Sequence, residues 1–194
     1  MDVKFIGEVI FMKTGLLLID LQLDYFPGGR MALDGAKDAV FAAARLLAAF
    51  REAEWPVCHI QHISSRAGAT FFLPGTSGID IHPAVKPNEN EPIIEKHFPN
   101  SFRETELMKH LRSNQIERLV ICGMMTNMCI DATVRAAYDQ GFDCMVAHDA
   151  CAARSLEFSG RGVQAGDVHA AFLAALQGIY ARVLSVDEIC SMLP

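Results

Sequence analysis

Short runs of strand-forming residues alternate with segments of helical periodicity along the chain of 194 residues. The candidate strands are Thr14–Ile19, Val57–Gln61, Pro92–Lys96, Arg118–Cys122, Asp143–Ala147 and Arg182–Ser185. The candidate helices are Ala36–Ala53, Glu104–Ser113, Asn127–Gln140 and Asp167–Gly178. Such alternation is typical of a parallel sheet with helices on both faces. We therefore predict an α/β fold with three α/β/α layers, which is Rossmann-like and has a six-stranded parallel sheet.

One domain accounts for the whole length. Hydrophobic residues make up 51% of the chain and charged residues 21%, which is close to the average of globular proteins. No repeat or linker divides the sequence, so we expect a single domain over residues 1–194 with an N-terminal extension over residues 1–12. The segment from Ser64 to Glu91 is too long for an ordinary connection between a strand and a helix, and long ordered loops are usually functional.

The charge and the cysteines limit the partners and the compartment. A net charge of -6 repels phosphate backbones and anionic lipid, so neither nucleic acid nor a membrane is expected as a partner. No apolar run is long enough to span a bilayer, and no targeting segment is evident. Six cysteines without a paired framework are interpreted as free thiols. We therefore predict a cytoplasmic protein that acts on a small molecule.

Chemically useful side chains follow several of the predicted strands. In open parallel sheets, ligands bind at the carboxyl ends of the strands. Asp20, His62 and Lys96 lie at such ends, and Cys129 lies in the first turn of the helix after the fourth strand. A helix N-terminus and a nearby lysine favour thiolate, which predicts a pKa of Cys129 below that of a free cysteine. A carboxylate could take the thiol proton and pass it to a leaving group, so this set of residues fits acyl transfer.

Each of these residues also has an ordinary structural interpretation. Cys129 could be a packing thiol, Asp20 a turn or capping residue, and Lys96 a surface residue. His59 and His62 are three apart on a strand and therefore on opposite faces, and no carboxylate accompanies them in the sequence, so we predict no metal site there. The charged residues after the fifth strand are interpreted as loop or subunit-contact residues; they are Asp149, Arg154 and Arg161. His169 is interpreted as structural.

Several segments together resemble the isochorismatase-like cysteine hydrolases over nearly the whole chain after Thr14. These segments are Asp20-Leu21-Gln22, Ile94-Glu95-Lys96, Asn100-Ser101-Phe102, Gly123 to Ile130, Ala132 to Ala137 and Asp149 to Ala152. The resemblance implies a sheet of order 3-2-1-4-5-6 and a catalytic triad of Asp20, Lys96 and Cys129. It also implies a cis peptide bond between Met124 and Met125, and an oxyanion hole formed by the backbone N–H groups of Met125 and Cys129.

Departures from one branch of that family bear on metal and substrate. Metal-binding nicotinamidases carry an Asp and His residues near the second strand, where this sequence has Gln61 and, after His62, Ile63. The metal branch is therefore disfavoured, and no cofactor is expected. We predict that substrate is bound by side chains at strand ends and in the loops beside them; the candidates are Gln22, Phe26, His62 and Phe72.

Three functions remain open from the sequence. The leading hypothesis is a metal-independent hydrolase that cleaves a small amide or related C–N bond through a cysteine thioester. An isochorismate-type vinyl-ether hydrolase is the alternative enzyme, and a non-catalytic or redox-sensing homologue is the alternative outside catalysis. The apolar composition and the resemblance both indicate a homodimer or homotetramer.

Overall fold

The computed structural model describes residues 12–193, so residues 1–11 of the predicted extension lie outside the described part. The strands are β1 (Thr14–Ile19), β2 (Val57–His62), β3 (Ile93–Lys96), β4 (Arg118–Met124), β5 (Asp143–Ala152), β6 (Leu156–Phe158), β7 (Arg161–Val163) and β8 (Arg182–Leu184). The helices are α1 (Ala36–Glu52), α2 (Leu107–Ser113), α3 (Asp131–Asp139), α4 (Ala165–Leu176) and α5 (Val186–Cys190). A π-helical turn, Thr126–Ile130, precedes α3.

Six of the strands form one parallel sheet of order β3-β2-β1-β4-β5-β8. Helices α1 and α5 pack against each other on one face, and α3 and α4 pack against each other on the other face. The predicted three-layer α/β/α fold is thereby confirmed. The predicted order 3-2-1-4-5-6 is confirmed as well, with β8 as the sixth strand of the sheet.

The central strand is buried on both of its faces. All six residues of β1 are buried, as expected for a parallel strand covered by helices on both sides. Helix α1 buries residues at helical spacing, among them Val40, Leu47 and Phe50. Each such fully buried large side chain contributes about 1.5–3 kcal/mol relative to an exposed one. This core holds the carboxyl ends of β1, β3 and β4 in fixed positions.

The approach of β4 to β1 requires a glycine. Gly123 has φ +127, and a Cβ atom there would lie 1.9 Å from the carbonyl oxygen of Ile19. Any side chain at this position would therefore clash with the β1 backbone. The glycine lets the turn that carries Cys129 begin directly beside Asp20, which follows Ile19.

The structure contains elements that the sequence pattern did not indicate. Strand β5 continues to Ala152 through an irregularity in its pairing with β4, and an antiparallel hairpin of β6 and β7 follows it. Helix α5 begins with a capping box at Ser185 and Glu188. Within residues 12–193, no helix is long and apolar enough to cross a membrane.

Candidate active site

A buried ion pair joins the ends of β1 and β3. Asp20 directly follows β1 with φ 53, a left-handed conformation that aspartate tolerates better than most residues. Lys96 is the last residue of β3, and its Nζ lies 2.7 Å from Oδ2 of Asp20. Both side chains are 0% exposed. A buried charge is stable only beside an opposite charge, so these two residues hold each other in place.

Cys129 completes the group from the third strand end. It lies in the π-helical turn after β4, is 5% exposed, and has its Sγ 3.2 Å from the Nζ of Lys96. The second carboxylate oxygen of Asp20, Oδ1, has no hydrogen-bond partner among the described residues. The structure therefore brings together the three predicted triad residues and leaves one carboxylate oxygen free to accept a proton.

His62 is a fourth member of this group. Its Nδ1 lies 3.0 Å from the Nζ of Lys96, which also donates to the carbonyl oxygen of Phe98 at 3.2 Å. Burial, and then the charge of Lys96, lower the pKa of His62 to about 4. The imidazole is therefore neutral near pH 7, and its Nδ1 accepts a hydrogen bond from the ammonium group.

The protonation state of Cys129 differs from the prediction. Burial raises the pKa of the Cys129 thiol, the negative charge of Asp20 raises it further, and Lys96 opposes both effects. The predicted pKa below that of a free cysteine is therefore wrong, because the fold surrounds the sulfur with apolar groups and a carboxylate. The raised pKa keeps Cys129 a thiol at rest, so a nucleophilic role would require loss of that proton first.

The backbone around Cys129 includes the cis peptide bond that the resemblance implies. The peptide bond between Met124 and Met125 is cis. The N–H of Met125 donates no hydrogen bond to another described residue, so it is free for a ligand. The carbonyl oxygen of Met125 accepts from Met128 and Ile130, which fixes the turn. This arrangement suits the predicted oxyanion hole of the Met125 and Cys129 amides.

A lysine lies among the side chains that could otherwise hold a metal. One ligand atom from each of Asp20, His62 and Cys129 lies within 4.8 Å of the others. Lys96 donates to all three, so its ammonium group already neutralises the site and would repel a cation. The donor set therefore does not fit a metal while Lys96 is charged.

The sequence interpretation of the two strand histidines needs a correction. We expected no carboxylate beside them, yet His59 Nε2 lies 2.9 Å from Glu91, and His62 lies near Asp20. Arg51 also contacts Glu91, at 2.7 Å. Because residues distant in sequence supplied both carboxylates, the spacing of the histidines did not reveal them.

A cavity of about 330 Å³ borders this group of residues through His62, Met125 and Asn127, a volume at the lower end of small-molecule sites. It is lined by Met31, His62, Ser64, Ser65, Arg66, Ala69, Phe71, His97, Pro99, Met125, Asn127, Met128, Arg154 and Leu156. Arg154, which we interpreted as a loop or subunit-contact residue, lines this cavity because β5 is longer than predicted. The first part of the long loop supplies the residues from Ser64 to Phe71.

Of the four predicted substrate-binding residues, only His62 lines the cavity. Gln22 is fully buried, and its amide joins His62 and the loop by three hydrogen bonds of 2.7–2.9 Å. Phe26 packs on His82 beside a different cleft, and Phe72 is buried against Tyr25. These three side chains therefore do not line the cavity beside Cys129, and their role in substrate binding stays a prediction.

Other residues around the site were not singled out from the sequence. Thr126 is fully buried, and its Oγ1 lies 2.9 Å from Nδ1 of His169, which joins the cysteine turn to α4. Arg66, His97 and Asn127 lie in loops or turns whose course over the sheet the sequence pattern did not predict. A basic residue in a long ordered loop, such as Arg66, was the one available signal.

Known proteins resemble this chain in sequence and in fold. Residues 14–188 match the model of the isochorismatase domain. The isochorismatase family protein YddQ of Bacillus subtilis is 49% identical over 176 residues, covering 91% of this chain and 98% of that one. A solved structure from Oleispira antarctica, named as an isochorismatase hydrolase, superposes with a TM-score of 0.89 at 49% identity, covering 95% of this chain and 100% of the other. The nicotinamidase of Escherichia coli is 26% identical over 173 residues, covering 70% and 81%. This chain therefore belongs to the isochorismatase family of hydrolases.

Proposed function

We propose that the protein is a metal-independent cysteine hydrolase that cleaves the C–N bond of a small amide or related compound through a thioester. The contact of Lys96 with both Asp20 and Cys129 beneath the cavity carries this proposal. This contact joins a carboxylate, an ammonium group and a thiol in one hydrogen-bonded unit, which supports their roles as acid–base group, cation and nucleophile. The similarity to the nicotinamidase of Escherichia coli supports amide cleavage as the reaction class.

The first half of the reaction begins with the thiol proton. Oδ1 of Asp20 accepts that proton, and Lys96 stabilises the thiolate that forms. The sulfur attacks the substrate carbonyl carbon, and the negative charge moves to the carbonyl oxygen. The backbone N–H groups of Met125 and Cys129 receive that oxygen, which stabilises the tetrahedral intermediate.

The second half returns the enzyme to its starting state. Protonated Asp20 gives its proton to the leaving nitrogen, the C–N bond breaks, and an acyl thioester remains on Cys129. A water molecule then loses a proton to Asp20 and attacks the thioester carbonyl. Breakdown of this intermediate releases a carboxylic acid, and the thiol of Cys129 regains its proton.

We infer that no metal takes part, because Lys96 holds the three possible ligand side chains. Dialysis of the purified protein against a chelator should therefore leave its hydrolysis rate unchanged. Loss of activity that zinc, manganese or iron restores would contradict this part of the proposal.

A substrate panel tests the reaction class. Amides, ureides and isochorismate are incubated with the wild type, Cys129→Ala and the control Cys190→Ala, whose thiol lies in α5. We expect release of ammonia or amine by the wild type and the control only, and mass spectrometry should find an acyl group on the Cys129 peptide.

Two other outcomes would overturn the proposal. Pyruvate release from isochorismate that survives Cys129→Ala would identify a vinyl-ether hydrolase. Absence of any turnover, together with ready oxidation of Cys129 by peroxide, would identify a redox-sensing homologue.

A further inference from the structure

The cavity carries two positively charged side chains. Among residues 12–193, Arg66 and Arg154 line it, and no aspartate or glutamate of this part of the chain does. The chain as a whole carries a net charge of -6, so the positive charge of the cavity is opposite in sign to the net charge of the protein. A cavity lined by one sign of charge attracts ligands of the opposite sign.

Both guanidinium groups are available to a ligand. Within residues 12–193, neither Arg66 nor Arg154 forms an ion pair with a carboxylate. The guanidinium group of Arg154 lies 3.3 Å from the sulfur of Met31. A guanidinium group presents a planar pair of donors that matches a carboxylate, so an unpaired arginine in a cavity is suited to bind one.

The catalytic group beneath the cavity does not cancel this positive charge. Asp20 and Lys96 form a pair of opposite charges, and the lowered pKa of His62 keeps its imidazole neutral. Cys129 is a thiol at rest. Among the described residues, Arg66 and Arg154 therefore supply permanent positive charge at the cavity that this group does not neutralise.

A buried acceptor marks where the amide end of a substrate would lie. Asn127 lines the same cavity and is 8% exposed, and its Oδ1 has no hydrogen-bond partner among the described residues. A buried acceptor without a partner is costly, so a ligand N–H that reaches it would bind favourably. Asn127 is two residues from Cys129 in the same turn, which places this acceptor close to the reacting atoms.

We propose that the substrate is an anionic amide: a small compound with a carboxylate that Arg66 and Arg154 bind, and with an amide N–H that the side chain of Asn127 accepts. This inference deepens the proposed hydrolase function and rests on it for the amide end. The small cavity restricts the distance between the carboxylate and the amide to a few bonds. Neutral and cationic amides of the same size are poor ligands.

Equilibrium binding tests the inference without turnover. Malonamate, succinamate and glutaramate, each with one carboxylate and one amide, are titrated into Cys129→Ala by calorimetry. Each is compared with its neutral diamide, which has nearly the same shape. At least one anionic compound should bind about tenfold or more tightly than its diamide, as expected for a charge-assisted hydrogen bond. The preference should disappear when Arg66→Gln and Arg154→Gln are added, and it should survive the control Arg45→Gln, whose arginine is exposed on α1.

A second measurement uses the wild-type thiol. Iodoacetate carries a carboxylate where iodoacetamide carries a neutral amide. The ratio of their alkylation rates at Cys129 therefore reports the electrostatic potential in the cavity. We expect the rate with iodoacetate, divided by the rate with iodoacetamide, to be higher at Cys129 than for free cysteine. The same ratio should fall about tenfold in Arg66→Gln/Arg154→Gln.

The outcomes separate the two proposals. If no anionic amide binds more tightly than its diamide, or if the preference survives loss of both arginines, the anionic-substrate inference is wrong. Release of ammonia from neutral amides alone would reject it and retain the amidase. Tight binding of anionic amides that the wild type never hydrolyses would retain the anion site and reject the amidase.

Discussion

Asp20 and Lys96 act on the Cys129 thiol in opposite directions. The carboxylate raises the pKa of the thiol and the ammonium lowers it, while burial adds to the effect of the carboxylate. The complete group thus favours the thiol at rest, and in the proposed mechanism the reactivity of this thiol depends on the transfer of one proton to Asp20. Because the two residues act oppositely on the sulfur, substitutions at each should have distinguishable effects.

Asp20→Asn should separate alkylation from hydrolysis. Without the carboxylate, Lys96 is left beside the sulfur and the pKa of Cys129 falls, so iodoacetamide should label it roughly tenfold faster or more near neutral pH. Hydrolysis should fall by about 10²–10⁴-fold, because no group remains to carry the proton to the leaving nitrogen. Lys96→Met should slow labelling instead. Slower labelling of Asp20→Asn, measured by peptide mapping of a variant shown to be folded, would contradict this account.

His62 should make stability sensitive to mild acid. Its pKa in the folded state, about 4, lies below the ordinary 6.5, so the unfolded chain binds the proton first. The contribution of neutral His62 to the free energy of unfolding is fully present above about pH 6.5 and is lost as the pH falls toward 4. His62→Asn keeps an acceptor near Lys96 that does not titrate in this range. Urea unfolding near pH 7 and near pH 5 should show a smaller decrease for this variant than for the wild type.

The comparison of His62→Asn with the wild type separates the effect of His62 on the pH dependence of stability from the effects of the other histidines. The pKa is also lowered at His59, His82, His110 and His169, and all of these contribute in the same direction. An equal decrease in His62→Asn and in the wild type would show that His62 contributes nothing to the pH dependence of stability.

The meeting of Asp20, Lys96 and Cys129 at one place could be predicted from the position of each residue in the sequence. Asp20 and Lys96 stand at the ends of strands, and Cys129 follows a third, so a parallel sheet brings them to one edge. Their catalytic roles stay a prediction. The pKa of Cys129 could not be predicted in the same way, since it depends on burial by residues that come from many parts of the chain.

At the scale of elements, one carboxylate holds the long loop onto the body of the protein. Asp24 is buried, and its Oδ1 and Oδ2 accept hydrogen bonds from the backbone N–H groups of Arg30 at 3.1 Å and Phe72 at 2.6 Å. A Cβ atom on Gly78 would lie 2.3 Å from this carboxylate. Asp24 therefore fixes the loop that lines the cavity through its hydrogen bond with Phe72, and Gly78 lets the loop pass close to the same carboxylate.

Asp24→Asn should loosen that loop. The amide can accept from one of the two N–H groups, but its own NH₂ then faces the other, so we expect a loss of about 1–3 kcal/mol of unfolding free energy. Hydrogen exchange at the Phe72 amide should become faster, and the KM should rise. Asp80→Asn, an exposed change in the same loop, is the control. Unchanged protection of the Phe72 amide would show that Asp24 does not hold the loop.

The main elements could be predicted because their periodicity is set by burial in a layered fold. Strand β1 and helix α1 begin where the sequence pattern places them. The β6–β7 hairpin could not be predicted, because each of its strands has three residues and no buried face. The extension of β5 was missed for a related reason: an irregularity interrupts its pairing. The cavity residue Arg154 follows that extension, so the binding surface was harder to predict than the triad.

At the scale of the whole molecule, the hairpin leaves apolar surface beside the cavity. Phe158 is 82% exposed at the end of β6, and Met128 on the cavity wall is 43% exposed. A two-stranded ribbon is marginally stable by itself in water, and exposed aromatic side chains of this kind mark interaction surfaces. We propose that a second copy of the chain covers the hairpin in a homodimer or homotetramer.

Light scattering at micromolar protein tests this assembly. The wild type should have a mass at least twice the 21.3 kDa of one chain, because burial of Phe158 in an interface stabilises association by roughly 1.5–3 kcal/mol. Phe158→Ser should shift the equilibrium toward the monomer. Phe41→Ser, which changes a 53% exposed phenylalanine on α1, should leave the mass unchanged. A monomeric wild type would rule out the assembly. A larger effect of Phe41→Ser would place the interface on α1, and the hairpin would then need another explanation for its exposed phenylalanine.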